Sequence, residues 1–209
     1  MGLDTDYGRL VVQSLRAGRP VSDRFFNGLL SADARRVASR HWTPVRFAVR
    51  AAMMLTCGKE CQILDVGSGV GKFCMVGALT TPAQFVGVER RKWLVTESRE
   101  IALKLEIDRT RFICGNFTEV DWSEFDGIYL YNPFQENIDE GCRIDATVLM
   151  NETRFSEFTE AVQSKLAALK KKTRVVTFHG FGAPMPAGFV CAAKEPWGDS
   201  FLELWIKQS

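Results

Sequence analysis

"ILDVGSGVGKFCMVGAL", Ile63 to Leu79, sets three glycines, Gly67, Gly69 and Gly71, between an apolar run and a helix-like segment. A strand, a glycine turn and a helix in that order can cradle a phosphate, a dinucleotide or the nucleoside of another cofactor. A Walker A loop is excluded twice, because Val66 holds its first glycine position and Phe73 its Ser/Thr position. The dinucleotide fingerprint G-x-G-x-x-G fits Gly67 and Gly69 but needs a small residue where Lys72 stands. What remains is D-x-G-x-G-x-G, Asp65 to Gly71, whose glycines allow a tight turn and close approach of a ligand to the backbone.

Outward from this stretch the chain alternates. Apolar runs "CQILDV", "QFVGVE", "RFICGN", "GIYLYN" and "RVVTFH" are separated by helical segments over 70–79, 91–105 and about 152–171. Such alternation implies an α/β fold with a doubly wound, mostly parallel sheet. The last helix shows Phe155, Phe158, Val162, Leu166 and Leu169 on one stripe, with lysines 170–172 expected in its final turn. After His179 the rhythm changes to two strand-like runs joined by Pro196, Trp197, Gly198 and Asp199, a C-terminal antiparallel hairpin.

Residues 1–58 read as an N-terminal helical arm and 59–209 as the main α/β domain. The arm's helices open at Ser22, Ser31 and Thr43-Pro44, and the piece "VRFAVRAAMML" carries Val45, Ala48, Val49 and Ala52 at helical spacing, to be packed on the domain. With 209 residues, 46% of them hydrophobic and 25% charged, the chain is long enough for one main domain and has no disordered or repeat signature. The N-terminus lacks signal-peptide regions, and no apolar stretch reaches the roughly 20 residues of a membrane span. Six scattered cysteines read as reduced thiols of a cytoplasmic protein; Cys57 and Cys61 form the one close pair, and without a second pair no metal is expected.

The turn "LDVGSGVGK" resembles the first motif of class I S-adenosyl-L-methionine-dependent methyltransferases, and "GVE" beside it is also similar to the Dot1-type enzymes. The resemblance covers roughly residues 60–209 and continues in order. It implies S-adenosyl-L-methionine as cofactor and a seven-stranded sheet whose last strand runs antiparallel. It also implies that Asp65, Gly67, Ser68, Gly69 and Gly71 line the cofactor, that Glu89 with its neighbour Arg90 meets the ribose, and that Asn116 and Phe117 meet the adenine. Asn132-Pro133-Phe134 is similar to the N/D-P-P-Y/F motif that orients an acceptor nitrogen and also borders the cofactor. Two departures stand out: Asn116 replaces the family's acid, and the second proline of the tetrapeptide is missing. Each match has a plainer alternative. Glu89 can be an exposed charge beside Arg90 and Arg91, Gly115-Asn116 an ordinary turn, and Pro133 a simple strand stop.

His179, ending the fifth strand at the same edge, is a candidate to take a proton from the acceptor, against the alternative of a solvated histidine. Trp42 either lids the cleft or packs. From Asn116 to Glu160 eleven acidic residues face only Arg143 and Arg154, a rim that repels phosphate. "ARRVASRHWTPVRFAVR" has the opposite sign, with five arginines and no acid. The expected acceptor is a nitrogen of a protein side chain or other amine. The alternatives are RNA or DNA gripped by the arginine arm, or a module that binds the cofactor without turnover.

Overall fold

The computed structural model describes residues 5–132, 144–145, 152–198 and 200–208. Five parallel strands are continuous with an antiparallel pair in the order β3-β2-β1-β4-β5-β7-β6. Their ranges are β1 Gln62–Val66, β2 Gln84–Glu89, β3 Thr110–Cys114, β4 Gly127–Tyr131, β5 Arg174–Phe178, β6 Phe189–Trp197 and β7 Ser200–Lys207. β7 pairs antiparallel to β5 and β6 antiparallel to β7, so the doubly wound seven-stranded sheet with its terminal hairpin stands as expected.

The central strands β1, β2, β4 and β5 are buried on both faces, and successive residues sort between them. Ile63, Phe85 and Tyr129 point into one apolar cluster, while Leu64, Val86, Ile128 and Leu130 point into another. The second cluster is covered by α8 (Glu152–Ala167) through Val162 and Leu166. The first is covered by α6 (Lys72–Thr80), α7 (Lys92–Lys104) and the helices that precede the sheet. Those are α1 (Thr5–Arg16), α2 (Asp23–Asn27), α3 (Ala32–Arg36), α4 (Ala38–His41) and α5 (Val45–Leu55). α5 lies on the sheet with Ala48, Ala51, Ala52 and Leu55 fully buried. The helices between Thr5 and Leu55 therefore contribute one wall of the core.

Ser22 and Ser31 cap α2 and α3 by accepting from the N–H groups of Phe25 and Ala34. Several expected bounds shift. "ADARRVASR" is broken at Val37, which ends α3 and begins α4. α8 stops at Ala167, so lysines 170–172 lie beyond it; Lys172 has φ 70°, and its N–H donates to the Lys207 carbonyl. Pro196 and Trp197 belong to β6, whose outer edge has no ladder to lose to proline, and Gly198 at φ 59° begins the turn. No helix among the described residues is long and apolar enough to cross a membrane.

Candidate active site

β2 and β3 lie to one side of β1, β4 and β5 to the other. The crevice beyond the carboxyl ends of β1 and β4 is therefore the switch point of the sheet, where open α/β folds bind ligands. The chain leaves β1 through Gly67, Gly69 and Gly71 at φ 76°, 54° and 74°, which glycine alone adopts without strain. The N–H groups of Gly67 and Ser68 both donate to the Val88 carbonyl at 3.0 Å, folding the turn onto the end of β2. There the Glu89 carboxylate accepts from the Gly69 N–H at 3.2 Å and the Arg91 N–H at 2.8 Å. Glu89 is 6% exposed and accepts both bonds at the base of the crevice.

Asp65, two residues before Gly67, is buried and accepts from the Cys74 thiol at 3.5 Å. Burial pushes its carboxyl up to about 7, the Glu89 charge adds to this, and the Cys74 contact opposes it. Ser68 lies directly against Gly87, where a β-carbon would collide with its hydroxyl.

Of the remaining predicted residues, Arg90 is half-buried with its guanidinium 5.4 Å from the Phe158 ring centroid. Asn116 uses its side-chain oxygen to accept from the Thr118 N–H at 3.3 Å, the turn role weighed above. Phe117 is buried 5.5 Å from Phe158 on the α8 side. Asn132 follows β4 at φ 35° and His179 follows β5 at φ 59°. Neighbouring strands thus both end in a non-glycine residue in the left-handed region, a feature concentrated at functional edges. His179 sits 4.2 Å from Phe178 and 5.9 Å from Tyr131, ring to ring, and burial lowers its pKa from the ordinary value. Pro133 and Phe134 lie outside the described residues.

Four further contributions join residues distant in sequence. Trp42 is buried, donates to the Ala34 carbonyl at 2.8 Å, and lies so close over Gly69 that a β-carbon there would overlap its ring. Lys72, 2% exposed, reaches Asp23 at 2.5 Å and Asn27 at 3.0 Å, so it fastens α2 to the start of α6. Asp145 accepts from Arg91 at 3.1 Å and from Trp93 at 2.7 Å, joining the segment after β4 to the start of α7. Tyr131 stacks on Phe178 at 5.3 Å. Trp42 and Tyr131, with Asp65, Ser68 and Lys72, border a cavity of about 30 Å³ on the arm side of the turn. That is room for a water and not for a nucleoside.

A glycine turn closed onto a second-strand carboxylate, at the switch point of a parallel sheet, defines a Rossmann-like nucleoside-binding protein. Residues 58–177, more than half of the chain, match the family model described as "Methyltransferase domain". The chain belongs to that family, and within it to the class I S-adenosyl-L-methionine-dependent methyltransferases. Its fold is similar to that of an RNA methyltransferase from Salinibacter ruber in complex with S-adenosyl-L-homocysteine. The TM-score is 0.59 at 20% identity, over 80% of this chain and 94% of that one. It is also similar to TrmN from Thermus thermophilus, with a TM-score of 0.59 at 17% identity over 82% of this chain and 51% of that one. MtNAS in complex with MTA and tNA aligns with 98% of this chain and 71% of its own at a TM-score of 0.54 and 16% identity, a likeness that extends through the arm. Comparison with curated proteins finds no match.

The donors present suit the family's cofactor. The turn offers backbone close enough for contact, and Glu89 has the charge to accept ribose hydroxyls, since each carboxylate oxygen takes more than one hydrogen bond.

Proposed function

We propose that the chain transfers a methyl group to a nitrogen of a protein side chain or other amine. The observation that carries this reading is the pairing of Asn132 and His179 at the ends of adjacent strands, across the crevice from the Glu89-anchored turn. S-adenosyl-L-methionine supplies a methyl group already activated on a sulfonium. The protein's own task is alignment, a contribution on the order of 7–11 kcal/mol at best. Glu89 and the glycine turn fix one reactant. The Asn132 side-chain oxygen accepts from the acceptor N–H and turns the nitrogen lone pair toward the methyl, and His179, exposed at the end of β5 with its pKa lowered by partial desolvation, takes the proton that nitrogen loses.

An amine is favoured over nucleic acid by charge. The segment 116–160 is strongly acidic, and the arm's arginines are partly engaged within the protein. Arg35 donates to the Leu30 carbonyl, Arg46 covers Phe47 and Trp197, and Arg50 pairs with Glu195. A second reading, an RNA acceptor, is supported by the exposure of Arg36 and Arg40 and by the fold likeness to the Salinibacter RNA methyltransferase. Incubation of the purified chain with methyl-labelled cofactor and cell extract distinguishes them. Protease-sensitive or small-amine label supports the first, nuclease-sensitive label the second, and no transfer in any fraction rejects both.

A further inference from the structure

We propose that Cys57, Cys61 and Asp126 form a binding site for a thiophilic divalent cation, zinc being the ion that fits, at the end of the sheet opposite the candidate active site. The two sulfurs and a carboxylate oxygen all lie within 4.8 Å of one another. Around a tetrahedral zinc, with thiolates at about 2.3 Å and carboxylate at about 2.0–2.2 Å, ligand atoms stand roughly 3.5 Å apart. The cluster therefore needs a contraction of at most about an ångström to close on the ion. The backbone can supply it, because Cys57 is exposed in the link between α5 and β1 and the adjoining Gly58 has open space around it.

The other two donors are already held. Cys61 is buried immediately before β1, and Asp126 immediately before β4 accepts from the Gln62 N–H at 3.1 Å. β1 and β4 are adjacent and parallel, so residues preceding each are side by side although far apart in the chain. This supplies the third ligand that the Cys57–Cys61 spacing lacks, and water completes the shell at the exposed side. Lys170 neutralises Asp126 at 3.1 Å, but its side chain is half-exposed and such a pair is weak competition for a divalent ion held by two thiolates. Bound there, the ion would tie the arm's exit to the sheet, and methyl transfer plays no part in the inference.

The test uses the full chain, reduced and stripped with a chelator, titrated with cobalt(II) and competed with zinc. A thiolate-to-cobalt charge-transfer band saturating at one ion per chain and displaced by zinc is expected. Cys57→Ser should abolish it, and Asp126→Asn, which keeps an acceptor for Gln62, should weaken binding by about 10-fold or more. Cys191→Ser, a cysteine outside the cluster, should change nothing. Zinc should raise the melting temperature of the unaltered chain and not of Cys57→Ser. Absence of the band, its survival in Cys57→Ser, or indifference to Asp126→Asn overturns the site.

Discussion

The Gly69 N–H donates to Glu89 Oε2 at 3.2 Å, joining the turn after β1 to the end of β2 across 20 residues of sequence. The same turn is covered from the other side by Trp42. Several expected outcomes come from this doubly held loop.

Glu89→Ala removes the carboxylate that accepts from both Gly69 and Arg91. Charge-assisted hydrogen bonds contribute about 1.5–3 kcal/mol each. Losing one such bond between Glu89 and the cofactor's ribose should weaken S-adenosyl-L-homocysteine binding at least ~10-fold by calorimetry. Unchanged affinity in a folded variant removes Glu89 from the cofactor site.

Gly69→Ala places a β-carbon at φ 54° and against the Trp42 ring. The backbone term alone costs about 1–2 kcal/mol, and the overlap adds to it. Trp42→Ala relieves the overlap but not the backbone term, so urea denaturation should show Gly69→Ala costing less in the Trp42→Ala background. Strict additivity of the two changes contradicts the contact.

Asp65 ties stability to pH. Its folded value of about 7 lies above the ordinary 3.8. Between those values the folded state keeps a proton that the unfolded chain has released. This stabilisation is full below pH ~4 and is lost as pH rises through ~7, with a slope approaching ~1.4 kcal/mol per unit. Asp65→Asn cannot ionise and should lack the slope. Urea titrations of both proteins at pH 5 and pH 8 measure it; parallel losses in the two would exclude Asp65 as the source.

Lys72 is buried against Asp23, Asn27 and the face of Phe26. Asp23→Ala leaves the ammonium without its carboxylate and also removes the acceptor of the Val45 N–H. A loss of about 1–3 kcal/mol is expected. Adding Lys72→Met should recover part of it, because the buried charge is then gone.

Asn132→Ala should lower kcat while leaving cofactor affinity intact, because the side chain is assigned to the acceptor nitrogen and Glu89 to the cofactor. Turnover unchanged in that variant eliminates the assigned role.

The sheet was legible because its strands are local apolar runs with their own turn signals. Asp65 to Gly71 and Glu89 are each the last residues of a strand or the turn after it, and in a parallel sheet strand ends share an edge wherever they fall in the chain. Asn116 was legible as a position but not as a role, since its oxygen is taken by the Thr118 N–H of the turn it caps. The helix bound differs at the C-terminal end of α8, which stops at Ala167, while Lys172 donates its N–H to the Lys207 carbonyl of β7.

By itself, the sequence determined the strand and helix order, the glycine turn and the carboxylate that follows it, because periodicity and φ preference act within a few residues. Only the tertiary structure decided that Trp42 lies on Gly69, that Lys72 is spent on Asp23 and Asn27, and that Asp126 comes to Cys57 and Cys61. Those pairings depend on which strands become neighbours and on what covers their faces, and that is settled by burial of the whole apolar surface at once, which no local pattern encodes.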